Sequence, residues 1–217
     1  MARTTFFVDD PIARNGILVR SRAPLETILV RTNDVTGEIE LDPNEVTDRP
    51  RVMFQIPVDS LDTGILLMND VMRSDRWLDA SKYPVIRFTL GRVHASGAGT
   101  ALKHGQTLKM EGEGILELRG AANSVPVRAE VTWFERSEKT AGRLPGDLLH
   151  VVARFDVPLP AFGIESHLSP QAVDKVAGTL EVEADLFAST ERPEVAADMR
   201  ERLAQARKNL GQRLLGS

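Results

Sequence analysis

Hydrophobic and polar residues alternate with a period of two along most of this chain. The pattern recurs in seven or eight segments, among them the runs around Phe54, Leu116 and Phe155. Successive side chains of a strand point to opposite faces, so each segment predicts a strand with one apolar and one polar face. Strands of this kind build antiparallel sheets that are dry on one side and wet on the other.

One segment between the predicted strands breaks the alternation. Apolar residues at Ile65, Met68 and Met72 follow the three-then-four spacing of one helical face. Thr63 precedes them and is predicted to be the N-cap, because its hydroxyl can accept a bond from a free backbone N–H of the first turn. The pattern predicts a short helix at about residues 63–76.

The dry face of such a sheet must be covered by barrel closure, by a second sheet or by helices. Only one predicted helix lies between strands, which favours closure. We therefore expect a mainly β fold, an antiparallel barrel of about eight strands at residues 1–190, with the short helix as a lid over one end.

The last residues, 191–217, differ from the rest of the chain. Val195, Met199, Leu203 and Leu210 belong to an apolar stripe at three- and four-residue steps, with charged residues elsewhere. This predicts a C-terminal amphipathic helix that packs on the barrel or on a second copy. Such a helix can also lie on a membrane surface, but its acidic residues and small apolar side chains disfavour that reading.

Composition narrows the function classes. The 217 residues are 42% apolar, which suffices for one sizeable core, and the net charge of −4 offers no basic field for nucleic acid. Absence of cysteine excludes disulfides and thiol chemistry. The sequence has no signal-peptide pattern and no membrane-spanning apolar run, so we expect a cytoplasmic protein unless a leader has been removed.

The chain offers little catalytic chemistry. Its histidines lack the paired i, i+4 spacing of a helical metal site, and the aspartates around the helix lack a calcium-loop pattern. The four histidines are His94, His104, His150 and His167. We expect no catalytic residue, no metal and no cofactor.

The inside of the barrel is the remaining candidate site. A barrel of about eight strands is wide enough either to fill with its own side chains or to hold one small ligand. The residues predicted to bind an apolar ligand there, on the inward strand faces and the lid, are Phe54, Ile56, Met68, Met72, Trp77, Phe88, Met110, Leu116, Leu118, Trp133 and Phe155.

The segment from Ser60 to Leu90, SLDTGILLMNDVMRSDRWLDASKYPVIRFTL, resembles the signature of the YceI-like family. The run GEGILELRG ending at Gly120 and the triplet Phe162-Gly163-Ile164 are similar to further elements of that family. The resemblance implies a lipocalin-type barrel with a helix closing one end, and binding of long isoprenoid or other amphiphilic lipids. A histidine that the family carries in this helix is missing here, where Met68, Asn69 and Val71 stand, so head-group contacts do not transfer.

Three functions follow as hypotheses. The first is a carrier that holds an apolar small molecule or lipid in the barrel. The second is an interaction module with a filled barrel, whose apolar helix and C-terminal helix form a homodimer or bind a protein partner. The third, an enzyme acting on an apolar substrate, needs an ionisable group facing the cavity, and the predicted inward positions offer none.

Overall fold

The computed structural model describes residues 3–97, 99–164 and 174–193. Within these ranges the chain forms ten strands and two α-helices. The strands are β1 Thr4–Val8, β2 Gly16–Arg22, β3 Thr27–Thr32, β4 Thr36–Leu41, β5 Arg51–Pro57, β6 Val85–Ala95, β7 Thr107–Leu118, β8 Ala121–Phe134, β9 Leu148–Pro158 and β10 Thr179–Ser189. The helices are α1 Leu66–Arg73 and α2 Glu138–Ala141.

The strands close into an antiparallel barrel. β1 pairs with β4, and from β4 to β10 each strand pairs with the next one in the sequence. β10 then pairs with β1, where Phe7 lies opposite Ser189, and this pairing closes the ring. β2 continues along the edge of β10 that β1 leaves, and β3 pairs with β2. β1 and β2 therefore share one position in the barrel wall, and β3 and β4 share the next, so that ten strands fill eight positions. The expected barrel of about eight strands is confirmed.

Burial follows the predicted alternation closely. On β7, Met110, Leu116 and Leu118 are buried, whereas Glu111 and Glu113 are exposed. The same two-residue period turns an apolar face inward on the other long strands, so one continuous core lines the inside of the barrel.

A charged cluster holds the corner between β1 and β2. The buried Asp10 carboxylate accepts a bond from Arg14 Nε at 2.9 Å and also accepts from Arg143. Asn15, next in the corner, pairs through its amide with the backbone N–H and C=O of Phe187 on β10. The cluster therefore links the connection between β1 and β2 to neighbouring segments, at a point where neither strand supplies backbone pairing.

The wall position shared by β3 and β4 has a gap in its hydrogen bonding on the β3 side, which we call the seam. β4 pairs with β5 along its length, but β3 meets the chain after β5 through one bridge. In that bridge the backbones of Arg31 and Asp62 exchange two N–H to C=O bonds of 2.9 Å. Helix α1 begins four residues after Asp62, so it lies beside the seam.

The helix starts later than its sequence pattern predicts, and the assignment of Thr63 as N-cap is wrong. The N-cap is Ile65, without a side-chain cap bond. Gly64 adopts φ of +79°, a left-handed conformation that no helix continues through. The Thr63 hydroxyl instead accepts from the backbone N–H of Ile65, just ahead of the first turn.

Other elements differ in extent. β1 and the four-residue α2 have no counterpart among the predicted elements, and β6 extends as far as Ala95. A register shift between Leu90 and Val93 lets β6 continue past Gly91. The predicted helix at 191–217 lies outside the described residues except for its first three. Neither described helix is long and apolar enough to cross a membrane.

Candidate ligand cavity

A cavity of about 700 Å³ lies in the barrel interior, beside helix α1. Its wall consists mainly of aliphatic and aromatic side chains from the inward strand faces. A volume of this size with a mostly apolar lining is typical of small-molecule sites in barrels. The interior of this barrel is therefore not completely filled by its own side chains.

Most of the residues predicted from the sequence to bind a ligand lie on this wall. They are Phe54, Ile56, Met68, Met72, Trp77, Phe88, Leu116, Leu118 and Phe155. Met110 does not line this cavity but a second, smaller one. Trp133 lines neither cavity, and its ring faces His104 with centroids 6.5 Å apart. That any of these side chains contacts a ligand stays a prediction.

The opposite side of the wall was not identified from the sequence. It is formed by β2, β3 and β10, which contribute residues such as Ile17, Val30, Leu180 and Val182. Their alternation was visible, but the pairing of β2 with β10 was not, and that pairing brings the β2–β3 hairpin across the cavity.

Helix α1 covers one end of the cavity. Met68, Val71 and Met72 point toward the cavity, whereas Leu66 and Leu67 remain 58% and 74% exposed. The polar residues of the lining include charged side chains from three separate segments. These are Glu26, Arg76 and Lys175. The cavity therefore combines an apolar body with a few polar groups.

A small polar network anchors the start of α1. The buried Asn69 donates through Nδ2 to Asp62 Oδ1 at 2.8 Å, and its own Oδ1 accepts from the Thr63 N–H at 2.8 Å. The N–H of Gly64 also donates to Asp62 Oδ1. These hydrogen bonds, first from Asn69 and then from Gly64, lower the pKa of the Asp62 carboxyl, while its partial burial opposes the shift.

The Asp62 network predicts a pH dependence of stability. A carboxyl with a lowered pKa in the folded state stabilises fully above its unfolded value of about 3.9, and the contribution is lost as the pH falls through the folded pKa. Asp62→Asn keeps an acceptor oxygen but cannot ionise. We expect wild type to exceed this variant by about 1 kcal/mol at neutral pH and the difference to shrink below about pH 4. Urea unfolding over a pH series measures it; a pH-independent difference would contradict the assignment.

Three aromatic rings form a partition across the barrel, which we call the phenylalanine partition: Phe54, Phe88 and Phe155. The rings of Phe54 and Phe88 lie 6.3 Å apart between centroids and within 17° of parallel. The ring of Phe88 lies 5.9 Å from that of Phe155 on the opposite wall, within 25° of parallel. Behind the partition lies the second cavity, of about 100 Å³, and Phe54 and Phe88 line both spaces.

Two glycines make room for the rings. An ideal Cβ on Gly114 would lie 2.2 Å from the Phe88 ring, and one on Gly37 would lie 2.5 Å from the Phe54 ring. A glycine inside a strand often marks a close approach of another group to the backbone, and at Gly114 that group is the Phe88 ring.

The histidines lie away from the cavity. His150 Nε2 is 2.8 Å from Asp185 Oδ1, and its ring stacks on Phe187. His104 Nδ1 accepts from the Glu135 N–H. His94 lies 3.7 Å from a Glu111 carboxylate oxygen, and His167 lies outside the described residues. In the described ranges, no three His, Asp or Glu side chains are placed to hold a metal ion.

Comparison with known proteins agrees with this architecture. The model of the YceI-like domain family matches residues 18–188. BcnA from Burkholderia cenocepacia has a TM-score of 0.64 at 18% identity, covering 83% of this chain and 100% of that one. A polyisoprenoid-binding domain from Saccharophagus degradans, implicated in plant cell wall breakdown, has a TM-score of 0.61 at 16% identity, covering 88% and 100%. The YceI protein of Campylobacter jejuni has a TM-score of 0.52 at 18% identity, covering 72% and 83%. No curated protein matches the sequence significantly.

Proposed function

The chain belongs to the YceI-like domain family, and on that premise we propose that it is a binding protein that holds a long apolar ligand, isoprenoid or lipid-like, inside its barrel. The observation that carries this proposal is the apolar cavity of about 700 Å³ beside helix α1. We further propose that the protein acts by sequestration or transport and not by catalysis.

Burial of hydrocarbon supplies the binding energy in this proposal. Each Å² of apolar surface removed from water contributes about 25 cal/mol, less the free energy needed to order the ligand. An extended chain contacts the wall along its whole length, so its affinity should rise with each additional methylene that fits. The few polar lining groups, among them Arg76 and Lys175, are available to a polar end of the ligand.

One of the structurally similar proteins is a domain that binds a ligand of this class. The similar domain from Saccharophagus degradans is described as polyisoprenoid-binding. At 16% identity, that likeness bears on the fold alone, so the isoprenoid is a proposal for this chain and rests on its own apolar cavity.

A second candidate function is favoured by the outer face of α1. Ile65, Leu66 and Leu67 are each more than half exposed, which is unusual for neighbouring apolar side chains. A homodimer that covers this face is the corresponding alternative. The filled barrel that accompanied this alternative in the sequence analysis does not agree with the 700 Å³ cavity.

Both functions are tested by native mass spectrometry of protein purified from its own host. The protein is then denatured, and any bound lipid is extracted. We expect a discrete bound mass of apolar character. Leu118→Trp should abolish the bound mass, because Leu118 lies on the cavity wall and the larger indole fills the space that the ligand needs.

The matched control is Ile115→Trp on the same strand, where the side chain points outward and is 41% exposed. This variant should keep the bound mass. A ligand-free dimer in wild type would instead favour the interaction module, and equal ligand retention by both variants would place any bound molecule outside the cavity.

A further inference from the structure

We propose that the phenylalanine partition is a length stop, which ends the ligand cavity and selects apolar chains by their number of carbons. This inference rests on the proposed binding function and adds a specificity determinant to it. It arises from the division of the interior into a large space of about 700 Å³ and a small one of about 100 Å³.

The rings are too close for a chain to pass between them. Carbon atoms pack about 3.5–4.0 Å from one another, so a hydrocarbon between two stacked rings needs roughly 7–8 Å. The centroid separations are 6.3 Å from Phe54 to Phe88 and 5.9 Å from Phe88 to Phe155. Both fall in the range of direct aromatic contact. A chain that enters beside α1 therefore stops at this layer.

The stop is held by the barrel wall. Phe88 is only 9% exposed, and its ring occupies the space that Gly114 leaves on the neighbouring strand. Phe54 is the register partner of Phe88 across β5 and β6, and its ring uses the space at Gly37. Phe155 comes from β9 and reaches the Phe88 ring across the interior. Three separate strands thus fix the layer.

The volumes give an expected length. A methylene takes up about as much space as a water molecule in the liquid, roughly 30 Å³, so the large cavity holds about 20 chain carbons. The small cavity is apolar and empty of side chains, and it would admit about 3 more carbons if the stop were removed.

Competition among alcohols tests the stop. Delipidated full-length protein is incubated with an equimolar mixture of unbranched alcohols of about 12 to about 28 carbons, a range chosen to bracket the volume estimate. Native mass spectrometry then reports which lengths bind. For wild type we expect binding to decline steeply beyond about 20 carbons. Phe88→Ala and Phe155→Ala should move that limit upward by about 3 carbons or more.

Leu90→Ala is the matched control, because Leu90 lines only the small cavity and its loss leaves all three rings in place. Its length limit should equal that of wild type. Circular dichroism verifies folding, and Phe155→Leu, which removes the ring but keeps an apolar side chain, decides the question if the alanine variants do not fold.

The outcomes separate the two proposals. An unchanged limit in folded variants that lack a ring, or an equal shift in Leu90→Ala, would overturn the length stop and leave the binding function standing. Absence of binding to wild type at every length would count against the binding function itself. Binding without a length limit in wild type would overturn the stop alone.

Discussion

Asp10→Ala should lower the free energy of unfolding by about 3 kcal/mol. The Asp10 side chain is buried and accepts bonds from the two partly buried guanidinium groups of Arg14 and Arg143. Removing one partner of a buried ion pair typically costs 3–5 kcal/mol, because the remaining charge is left without compensation. The lower end applies here, since the side chains of Arg14 and Arg143 are 34% and 20% exposed and water can partly solvate them. Urea unfolding at neutral pH measures the change.

The control is Glu181→Ala, which removes an exposed ion pair with Arg22. Such a pair contributes at most about 1 kcal/mol. Equal losses in the two variants would show that the Asp10 cluster does not stabilise the corner.

Acid should weaken the same cluster. Burial by itself raises the pKa of the Asp10 carboxyl, but hydrogen bonds from Arg14 and Arg143 outweigh it, and the pKa lies below its usual value. The stabilisation is therefore present above the unfolded pKa and is lost as the pH falls through the folded one.

Gly37→Ala should be at least as damaging, with an expected loss of about 3 kcal/mol. An added Cβ would lie 2.1 Å from the carbonyl oxygen of Met53 and 2.5 Å from the Phe54 ring. The carbonyl belongs to β5, which is paired with β4 and β6, so relief requires movement of the strands and places the cost at the upper end for overpacking. Thermal and urea unfolding measure the loss.

Gly114→Ala provides the comparison. Its added Cβ meets a side chain, the Phe88 ring, and no backbone atom, so we expect a smaller loss of about 1 kcal/mol, at the lower end for overpacking. Gly97→Ala, with nothing within 4 Å of the added atom, should be nearly neutral. A Gly37→Ala variant no less stable than Gly97→Ala would contradict the contact geometry.

The barrel could be predicted from the sequence because its strands are wet on one side only. One-faced strands must find cover, and with a single helix between them closure was the favoured solution. The alternation along β5, β6 and β7 predicted that Phe54, Phe88 and Leu118 face the barrel interior, and all three line the cavity. The signature around Ser60 then indicated the family, which the domain match confirms.

The helix start could not be predicted, because two residues compete for it. Thr63 is a good capping residue by type, but Gly64 takes a left-handed conformation and Asn69 reaches back to bind the backbone of Thr63. Propensity alone does not reveal such a network, in which Asp62 bonds to Asn69 through its side chain and pairs with Arg31 through its backbone.

The division of the cavity was equally hidden. The alternation along a strand shows that a ring faces the interior, but it does not show which rings contact each other. The contact between Phe54 and Phe88 depends on the register of β5 and β6, and the contact of Phe88 with Phe155 depends on the width of the closed barrel. The same limitation applies to Ile17 and Val30, whose wall exists only because β2 pairs with β10.

The seam at β3 implies that stability is unevenly distributed around the barrel. Among the described residues, β3 pairs with one strand only, β2, and its other edge is joined to the segment after β5 by the Arg31–Asp62 bridge. Amide hydrogens of β3 should therefore exchange with deuterium well before those of β8 and β9, which are paired on both edges. Residues of the β2–β3 hairpin, such as Ile17 and Val30, line the cavity, so we expect its local opening to expose the cavity while the ladders from β4 to β9 persist. We therefore expect a long molecule to reach the cavity from the side, through this hairpin, while most of the barrel stays folded.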